Sequence, residues 1–494
     1  MQGIYKQFSL RIDAEQNRII HAFTKKLRED LLYGISDIIP SYCNLYIEFD
    51  AEKCSRQKVA NWLEQKQASL KPNTKQRTVT IPVDYNGQDL EYLSLKSGLS
   101  KKEIIALHSA NKYQVYAMGF SPGFPFMAEL DKAIQFPRRG VPRLEVPAGS
   151  VAIANAQTGI YPLKSPGGWH ILGQALKTIY DPNRKKPFLL KPGDLVKFEP
   201  AKARRIPKVQ TLELIPEPEN PLFRVLEPGL LDIFVDKGRF LAAHYGLSRS
   251  GPIDAKLANL ANRLVANKKD QVVLEMHVTG PALEVLNDIL VSFVGYSLQM
   301  LVDGVAQDAF ETLLLKKGSI VSFKPLQSAG PSYFAINGGF DSNKFMASAS
   351  VDLRAKIGRA LRVDDVLSGS GVGWARAKRS FKPYYKRLST VTLRLIKGPQ
   401  YDAKVAKELS QNDFTVAHKD RVGIRFAGAK IFGFGIISEA VPLGALQITN
   451  DGMPILLLND RGTIGGYSKP ALLHPDYFSK AAQLAVGNKV RFIF

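Results

Sequence analysis

The residues best suited to chemistry run from Pro137-Arg138-Arg139-Gly140-Val141-Pro142-Arg143, through Pro147-Ala148-Gly149-Ser150, to Tyr161-Pro162 and Ser165-Pro166-Gly167-Gly168-Trp169-His170. Arginines on proline-stiffened loops suit a two-point hold on a carboxylate or phosphate. Adjacent glycines let backbone approach a ligand closely, and Trp169 offers a flat apolar wall with one N–H donor. The opposite reading stays open: Pro and Gly turn the corners of a β-barrel while the arginines are solvated.

Upstream, Gly119-Phe120-Ser121-Pro122-Gly123 satisfies the G-x-S-x-G pattern of a nucleophile elbow. An elbow uses the backbone N–H after its serine in the oxyanion hole. Here that residue is Pro122, which has none, and Pro125 follows where a helix is required. The stretch therefore reads as a tight loop at a pocket rim. Seven histidines are present, no two at helical i,i+3 or i,i+4 spacing and none in an H-E-x-x-H motif, so no metal site is expected. His108, ending a short helix before the loop, is placed to act as general base or donor; the ordinary alternative is a satisfied core histidine.

Arg376–Arg387 holds six basic residues interleaved with Phe381, Tyr384 and Tyr385 and no acid. Phosphates reward such cations and bases stack on such rings, but a solvated interdomain segment is the commoner use, and no nucleic-acid partner is expected. Gly369-Ser370-Gly371-Val372-Gly373 imitates a dinucleotide loop without its third spaced glycine or its strand–helix setting.

The elements that must position these residues divide the chain. Alternation predicts a strand over Gln7–Ile12, and apolar spacing a helix over Ala14–Leu32. A strand over Ser41–Phe49 and a helix over Ser55–Leu70 follow, punctuated by Lys71-Pro72-Asn73. Beyond lie many short strands between Gly/Pro turns, the mark of barrels or sandwiches. Helices are expected at Lys101–Ala110 and at Asp254–Val265, the latter opened by Asp254 as N-cap. Three similar segments, Lys191–Phe198, Lys317–Phe323 and Val486–Phe492, each run from a Gly turn into an alternating strand, suggesting related barrels that close on such a strand. Pro207–Pro221 reads as a linker, and a second boundary falls near Gly369–Arg387. The expected architecture is mainly β with a small α+β amino-terminal domain: residues 1–76, a barrel over 77–205, a linker over 206–222, and barrels over 223–380 and 381–494, about three barrels in all.

Composition agrees with several folded domains. The 494 residues are 45% hydrophobic and 23% charged, with 39 glycines and 29 prolines, which excludes collagenous or largely disordered chains. The net charge of +22 favours anionic partners or simply a basic solvated surface. Two cysteines, Cys43 and Cys54, make no disulfide scaffold. No apolar run approaches the ~20 residues of a spanning helix, and Met1–Lys6 lacks the apolar core of a signal peptide. A cytoplasmic protein with no membrane partner is expected.

With its spacing intact, the stretch from Gly119-Phe120-Ser121-Pro122-Gly123-Phe124 to Ser165-Pro166-Gly167-Gly168-Trp169 resembles the KipI / allophanate hydrolase subunit 1 family, also called the B subunit of 5-oxoprolinase. His108-Ser109, Tyr113 and Pro192-Gly193-Asp194 fit as well. Val225–Phe494 is similar to the companion KipA / allophanate hydrolase subunit 2 family, or the C subunit of 5-oxoprolinase. The matching residues are Asp236, Gly238-Arg239, Ser250-Gly251, Asp254, Ala261-Asn262, Gly280-Pro281, Gly338-Gly339, Gly398-Pro399, Asp460-Arg461 and Gly465-Gly466-Tyr467. The whole resembles a natural fusion of the two subunits.

The resemblance implies cyclophilin-like barrels of the carboxyltransferase-domain type and one of three activities. With a separate A-type subunit, such pairs form an ATP-dependent 5-oxoprolinase that opens a lactam to glutamate. ATP then reaches the site through the partner, and this chain binds no cofactor of its own. Joined to biotin carboxylase modules, the same pair is the carboxyltransferase of a urea carboxylase, served by biotin on a carrier protein. The third activity is non-catalytic regulation of a histidine kinase. The first leads, with a small anionic amide or lactam as substrate and self-association left open. No Ser/Lys amidase signature supports hydrolysis of allophanate.

By the same resemblance, Arg138 and Arg143 hold a substrate carboxylate or developing phosphate, and His108 handles protons. Gly119, Phe120, Ser121, Pro122, Gly123, Phe124, Ser150, Gln157, Tyr161, Pro166, Gly167, Gly168 and Trp169 shape the pocket. In the second half the candidates are Asp236, Arg239, Asp254, Asp460 and Arg461 for catalysis and Gly465, Gly466 and Tyr467 for binding. That half departs from its family. Val235 replaces a usual Gln, Ala347-Ser348 a Gly-Ser, and Gly462-Thr463-Ile464 a Gln-Thr-Thr.

Overall fold

The computed structural model describes residues 2–68, 76–202, 208–326, 329–371, 378–383 and 390–494. The Lys71–Asn73 punctuation and half of the Arg376–Arg387 run lie outside the described residues, as do Pro207 and the end of the Gly369–Gly373 loop.

The amino-terminal unit is a three-stranded antiparallel sheet, β1 (Gln2–Gln7), β2 (Ile35–Pro40) and β3 (Asn44–Phe49), in the order β1-β3-β2. Two helices, α1 (Ala14–Glu29) and α2 (Arg56–Ala68), accompany it. Asp13 starts α1 by accepting the Gln16 N–H, an N-cap that satisfies an otherwise orphan donor. Ile20, Phe23 and Leu27 then fall on one helical face and pack against Leu45, Ile47 and Phe49 of β3. The strand expected over Gln7–Ile12 lies instead at Gln2–Gln7. Leu10 is 91% exposed, so the alternation beyond Gln7 has no face to bury.

Next comes a closed barrel. Its strands are β4 (Thr78–Asp84), β5 (Lys112–Met118), β6 (Pro125–Ala128), β8 (Ser150–Ala154), β9 (Gln157–Ile160), β11 (His170–Ala175) and β12 (Leu195–Pro200). A separate ribbon pairs β7 (Arg143–Val146) with β10 (Ser165–Gly167). Helices α3 (Leu90–Ser97) and α4 (Lys101–Ala110) lie between β4 and β5, and Ser100 and Glu103 form the capping box that opens α4.

A second closed barrel ends the chain, from Thr390–Lys397 to Lys489–Ile493. With the strands of each barrel numbered in chain order, both rings read 1-7-2-3-5-4-6. Both close by a parallel pair of first and last strands, Thr78 beside Leu195 and Thr390 beside Lys489. Both carry a ribbon built from insertions after the third and fifth strands; in the second barrel it pairs Gly435–Ala440 with Ile464–Tyr467. One topology is thus used twice, and Gly167 and Gly465 sit at corresponding places in it.

The middle region is not a third closed ring. It consists of a six-stranded and a five-stranded sheet that share one core through Phe223, Leu283, Phe323, Phe334 and Val291. The Ile320–Pro325 strand, second of the look-alike segments, has antiparallel neighbours only, so it lacks the parallel pairing that closes the other two. The helix Ala255–Leu264 begins at Asp254, as its sequence predicts. The described part of the expected linker is docked: Leu212 N–H donates to Lys356 O at 2.9 Å, and Leu214 is buried. No described helix is long and apolar enough to cross a membrane.

Candidate functional site

At the first barrel's ribbon, the arginines expected to hold a ligand have found a protein partner. The Asp89 carboxylate accepts from Arg139 Nη1 at 3.1 Å and Arg143 Nη2 at 2.6 Å on one oxygen, and from Ile171 N at 2.7 Å on the other. Arg143 therefore fixes the ribbon to the barrel, a charge-assisted contact that leaves less of it for a substrate. Arg138 is exposed, and its charge lies beside Tyr42 and Tyr161. Gly167 is steric in origin: a Cβ there would stand 2.2 Å from Tyr161 Oη. Trp169 packs edge-on against Phe124 at 5.4 Å. Gly168 O accepts the Arg139 N–H and Ser150 O the Tyr161 N–H. Gln157 is half-buried on β9, and Pro166 is exposed.

His108 is not at this site. It is fully buried, with Nδ1 2.7 Å from Tyr85 Oη, Nε2 2.9 Å from Thr158 Oγ1, and its ring stacked on Phe198. Burial pushes its pKa down to about 3. With both nitrogens engaged and no solvent access, it is a core histidine rather than a proton handler.

The Gly119–Phe124 loop is a joint between the two halves rather than a pocket rim. A Cβ on Gly119 would stand 2.4 Å from Ile464 of the second barrel's ribbon. Gly123 N–H donates to Tyr245 O at 2.8 Å. Arg354 clips the same joint by donating to Phe120 O at 3.1 Å and Asp460 O at 2.7 Å. Ser121 and Pro122 are buried beneath it, and the Ser121 hydroxyl has no partner among the described residues.

The polar candidates of the second half form three buried knots, with Arg239 Nη1 left without a partner among the described residues. Asp236 accepts from Gly238 N, Ala349 N, Ser348 Oγ and Ser350 Oγ, all within 2.6–2.9 Å. Beside it Arg239 donates to Ser350 O and Phe345 O; burial lowers its pKa, against Asp352 and Asp236. Asp254 caps its helix and accepts from Ser479 Oγ at 2.6 Å and Gln483 Nε2 at 3.1 Å. Asp460 accepts from Arg421 Nε at 2.8 Å, and Arg421 also pairs with Glu275. Burial raises the Glu275 pKa, but Arg421 and donors from His277 and Tyr333 outweigh it, leaving about 2. Buried carboxylates so fully paired hold structure together. Of the departures, Val235 is a core residue, and Ala347 occupies a left-handed conformation, φ 63°.

The richest constellation is one that the motifs did not indicate. β3 alternates, and the face opposite its core residues presents Asn44, Tyr46 and Glu48 to the second half of the chain. Asn44 Nδ2 donates to Glu439 Oε2 at 2.7 Å, and Glu48 pairs with Arg249. Tyr46 packs at 4.7 Å, tilted, against Tyr5, whose hydroxyl donates to Ala440 O at 2.6 Å. Arg461, a candidate from the second half, does reach this seam. It donates to Val441 O at 2.8 Å with its charge beside Glu48 and Asp37. Asp37 lies directly opposite Glu48 in the sheet.

Below Asn44, Glu439 Oε1 accepts from Gln400 Nε2 at 2.7 Å and lies 2.9 Å from Lys469 Nζ. Lys469 is completely buried, and burial lowers its pKa, against the pull of Glu439. Gly465, Gly466 and Tyr467 are half-buried alongside, on the ribbon. Lys469, Glu439, Asn44 and Gln447 were missed because no motif contains them. The one usable signal was the alternation of Asn44, Tyr46 and Glu48 with Leu45, Ile47 and Phe49.

Residues 1–190 match the carboxyltransferase domain, subdomain C and D, and residues 245–494 match the carboxyltransferase domain, subdomain A and B. The 5-oxoprolinase B subunit of Bacillus subtilis is 35% identical over 207 residues, 39% of this chain and 86% of that protein. The 5-oxoprolinase C subunit of Haemophilus influenzae is 26% identical over 268 residues, 52% of this chain and 86% of that protein. The crystal structure of TTHA0988 superposes with a TM-score of 0.96 at 41% identity, covering 100% of both chains. With both of its halves matched in order along one polypeptide, the chain belongs to the carboxyltransferase-domain family, as a fusion of the B and C subunit types of 5-oxoprolinase.

Proposed function

We propose that this chain is the fused B/C component of an ATP-dependent 5-oxoprolinase, opening the lactam of 5-oxo-proline to glutamate with a separate A-type subunit that carries ATP. The observation behind this reading is that one chain spans 86% of a B subunit and 86% of a C subunit. The seam supports it: Asn44 and Glu48 of the first half meet Glu439, Arg249 and Arg461 of the second. Fusion keeps both sides of such a site together. Amide opening needs donors where negative charge develops on oxygen and a proton for the departing nitrogen; buried cations and amides at the seam are groups of that kind. Arg138, exposed beside Tyr42 and Tyr161, is the arginine left to meet a substrate carboxylate.

The test is growth of a strain lacking this chain on 5-oxo-proline as sole nitrogen source. Failure to grow, restored by the intact gene, is expected; normal growth overturns the reading. Growth that fails on urea instead would assign the chain to biotin-dependent carboxylation.

A further inference from the structure

We infer that the Glu439–Lys469 cluster is the floor of a recessed site for the carbonyl or carboxylate of a small amide, with Lys469 and Gln447 as its donors. Lys469 carries three N–H donors and no acceptor. Glu439, the ion-pair partner of Lys469 at 2.9 Å, engages one of them, and its oxygens also accept from Asn44 and Gln400, leaving the remaining Lys469 N–H groups without an acceptor among the described residues. Gln447 Nε2 and Ser468 Oγ are also buried with no partner among the described residues. Buried polar groups are nearly always satisfied by protein, water or ligand. A surplus made mostly of donors calls for an acceptor-rich occupant.

The glycines border the cluster closely, so an added methyl would crowd it. A Cβ on Gly465 would stand 3.1 Å from Gln447 Nε2, and one on Gly466 3.1 Å from Ser438 Oγ. The first barrel supplies an internal comparison. At the corresponding ribbon, Gly167 is closed against Tyr161, and Asp89 is paired with two arginines. Buried polar atoms without a partner among the described residues remain at both places, Arg139 Nε, Ser165 Oγ and His170 Nδ1 at the first, but only the second holds a completely buried lysine, with N–H groups beyond the one facing Glu439. The buried lysine marks the second barrel as the ligand-holding one. The identity of the ligand as a lactam rests on the proposed function; the site itself does not.

The experiment is calorimetric titration of the full chain with 5-oxo-L-proline and, separately, with urea and acetamide. Lys469→Met removes the donors, Gly465→Ala narrows the space, and Gly140→Ala is a control with no atom within 4 Å of its new methyl. Losing a hydrogen bond to a charged group weakens binding about tenfold or more. Binding of 5-oxo-L-proline that falls about tenfold in both variants and not in the control is the expected result. If Lys469→Met fails to fold, Gly465→Ala alone decides. Binding of 5-oxo-L-proline insensitive to both variants overturns the site and spares the proposed function. Lys469-dependent binding of urea but not 5-oxo-L-proline upholds the site and counts against the function. No binding of any probe overturns the site.

Discussion

Asn44 and Glu439, 395 positions apart, are joined by a 2.7 Å hydrogen bond that ties the amino-terminal sheet to the carboxy-terminal barrel. The Glu439 carboxylate is also the counter-charge of Lys469, so one side chain serves both the joint and the buried cation. Glu439→Gln is expected to destabilise the chain by about 3 kcal/mol, because removing one partner of a buried ion pair leaves the other uncompensated. The double variant Glu439→Gln with Lys469→Met is expected to recover most of that loss. Urea-unfolding midpoints of the three chains check it, and additive losses would break the proposed coupling.

Gly119→Ala is expected to cost about 1–3 kcal/mol, the usual price of overpacking a close-packed contact. The new methyl meets Ile464 Cβ at 2.4 Å, with the backbone N of the same residue 2.9 Å away, so a rotamer change cannot relieve it. Gly140→Ala, facing open space, is expected to leave the melting temperature unchanged. Equal melting temperatures for the two would mean that the loop is not the joint between the halves.

Ala347 holds φ 63°, a left-handed conformation that costs a residue with a Cβ roughly 1–2 kcal/mol and glycine little. Part of that gain is cancelled by the greater freedom of glycine in the unfolded chain. Ala347→Gly is therefore expected to stabilise the chain by about 0.5–1 kcal/mol, read as a higher melting temperature. A lower one would remove the strain at this position.

What the sequence disclosed was what local chemistry encodes. The helices at Lys101–Ala110 and Ala255–Leu264 were legible because Ser100 with Glu103, and Asp254, satisfy their first N–H groups. The Gly-x-x-Val-x-Phe segments were legible as strands. Which of them closes a ring was not, because closure depends on a parallel partner over 95 residues away, as Thr390 is from Lys489. His108 was misread because its helix end looks open until Tyr85, Thr158 and Phe198 enclose it. Lys469 was invisible because Tyr467-Ser468-Lys469-Pro470 reads as a solvated turn, and its burial and its pairing with Glu439 are set by tertiary packing.

The seam also carries a titratable group whose sign can be worked out. Asp37 faces Glu48 across the sheet, with Arg249 and Arg28 nearby. Burial, and then Glu48, raise its pKa from 3.8 to about 6, although the two arginines and the Ala243 N–H oppose the shift. Between those values the folded chain keeps a proton that the unfolded chain has released. This contribution to stability is therefore fully present below the unfolded pKa and is lost as pH rises through the folded one. At about 1.4 kcal/mol per pKa unit, the loss amounts to roughly 3 kcal/mol by neutral pH. Asp37→Asn, neutral throughout, is expected to match the parent chain near pH 4 and to exceed it by up to that amount above about pH 6.5. Urea-unfolding midpoints of the two chains across that range measure the difference directly. A difference that does not grow with pH would mean that Asp37 is already ionised in the folded seam at low pH, held there by Arg249 and Arg28.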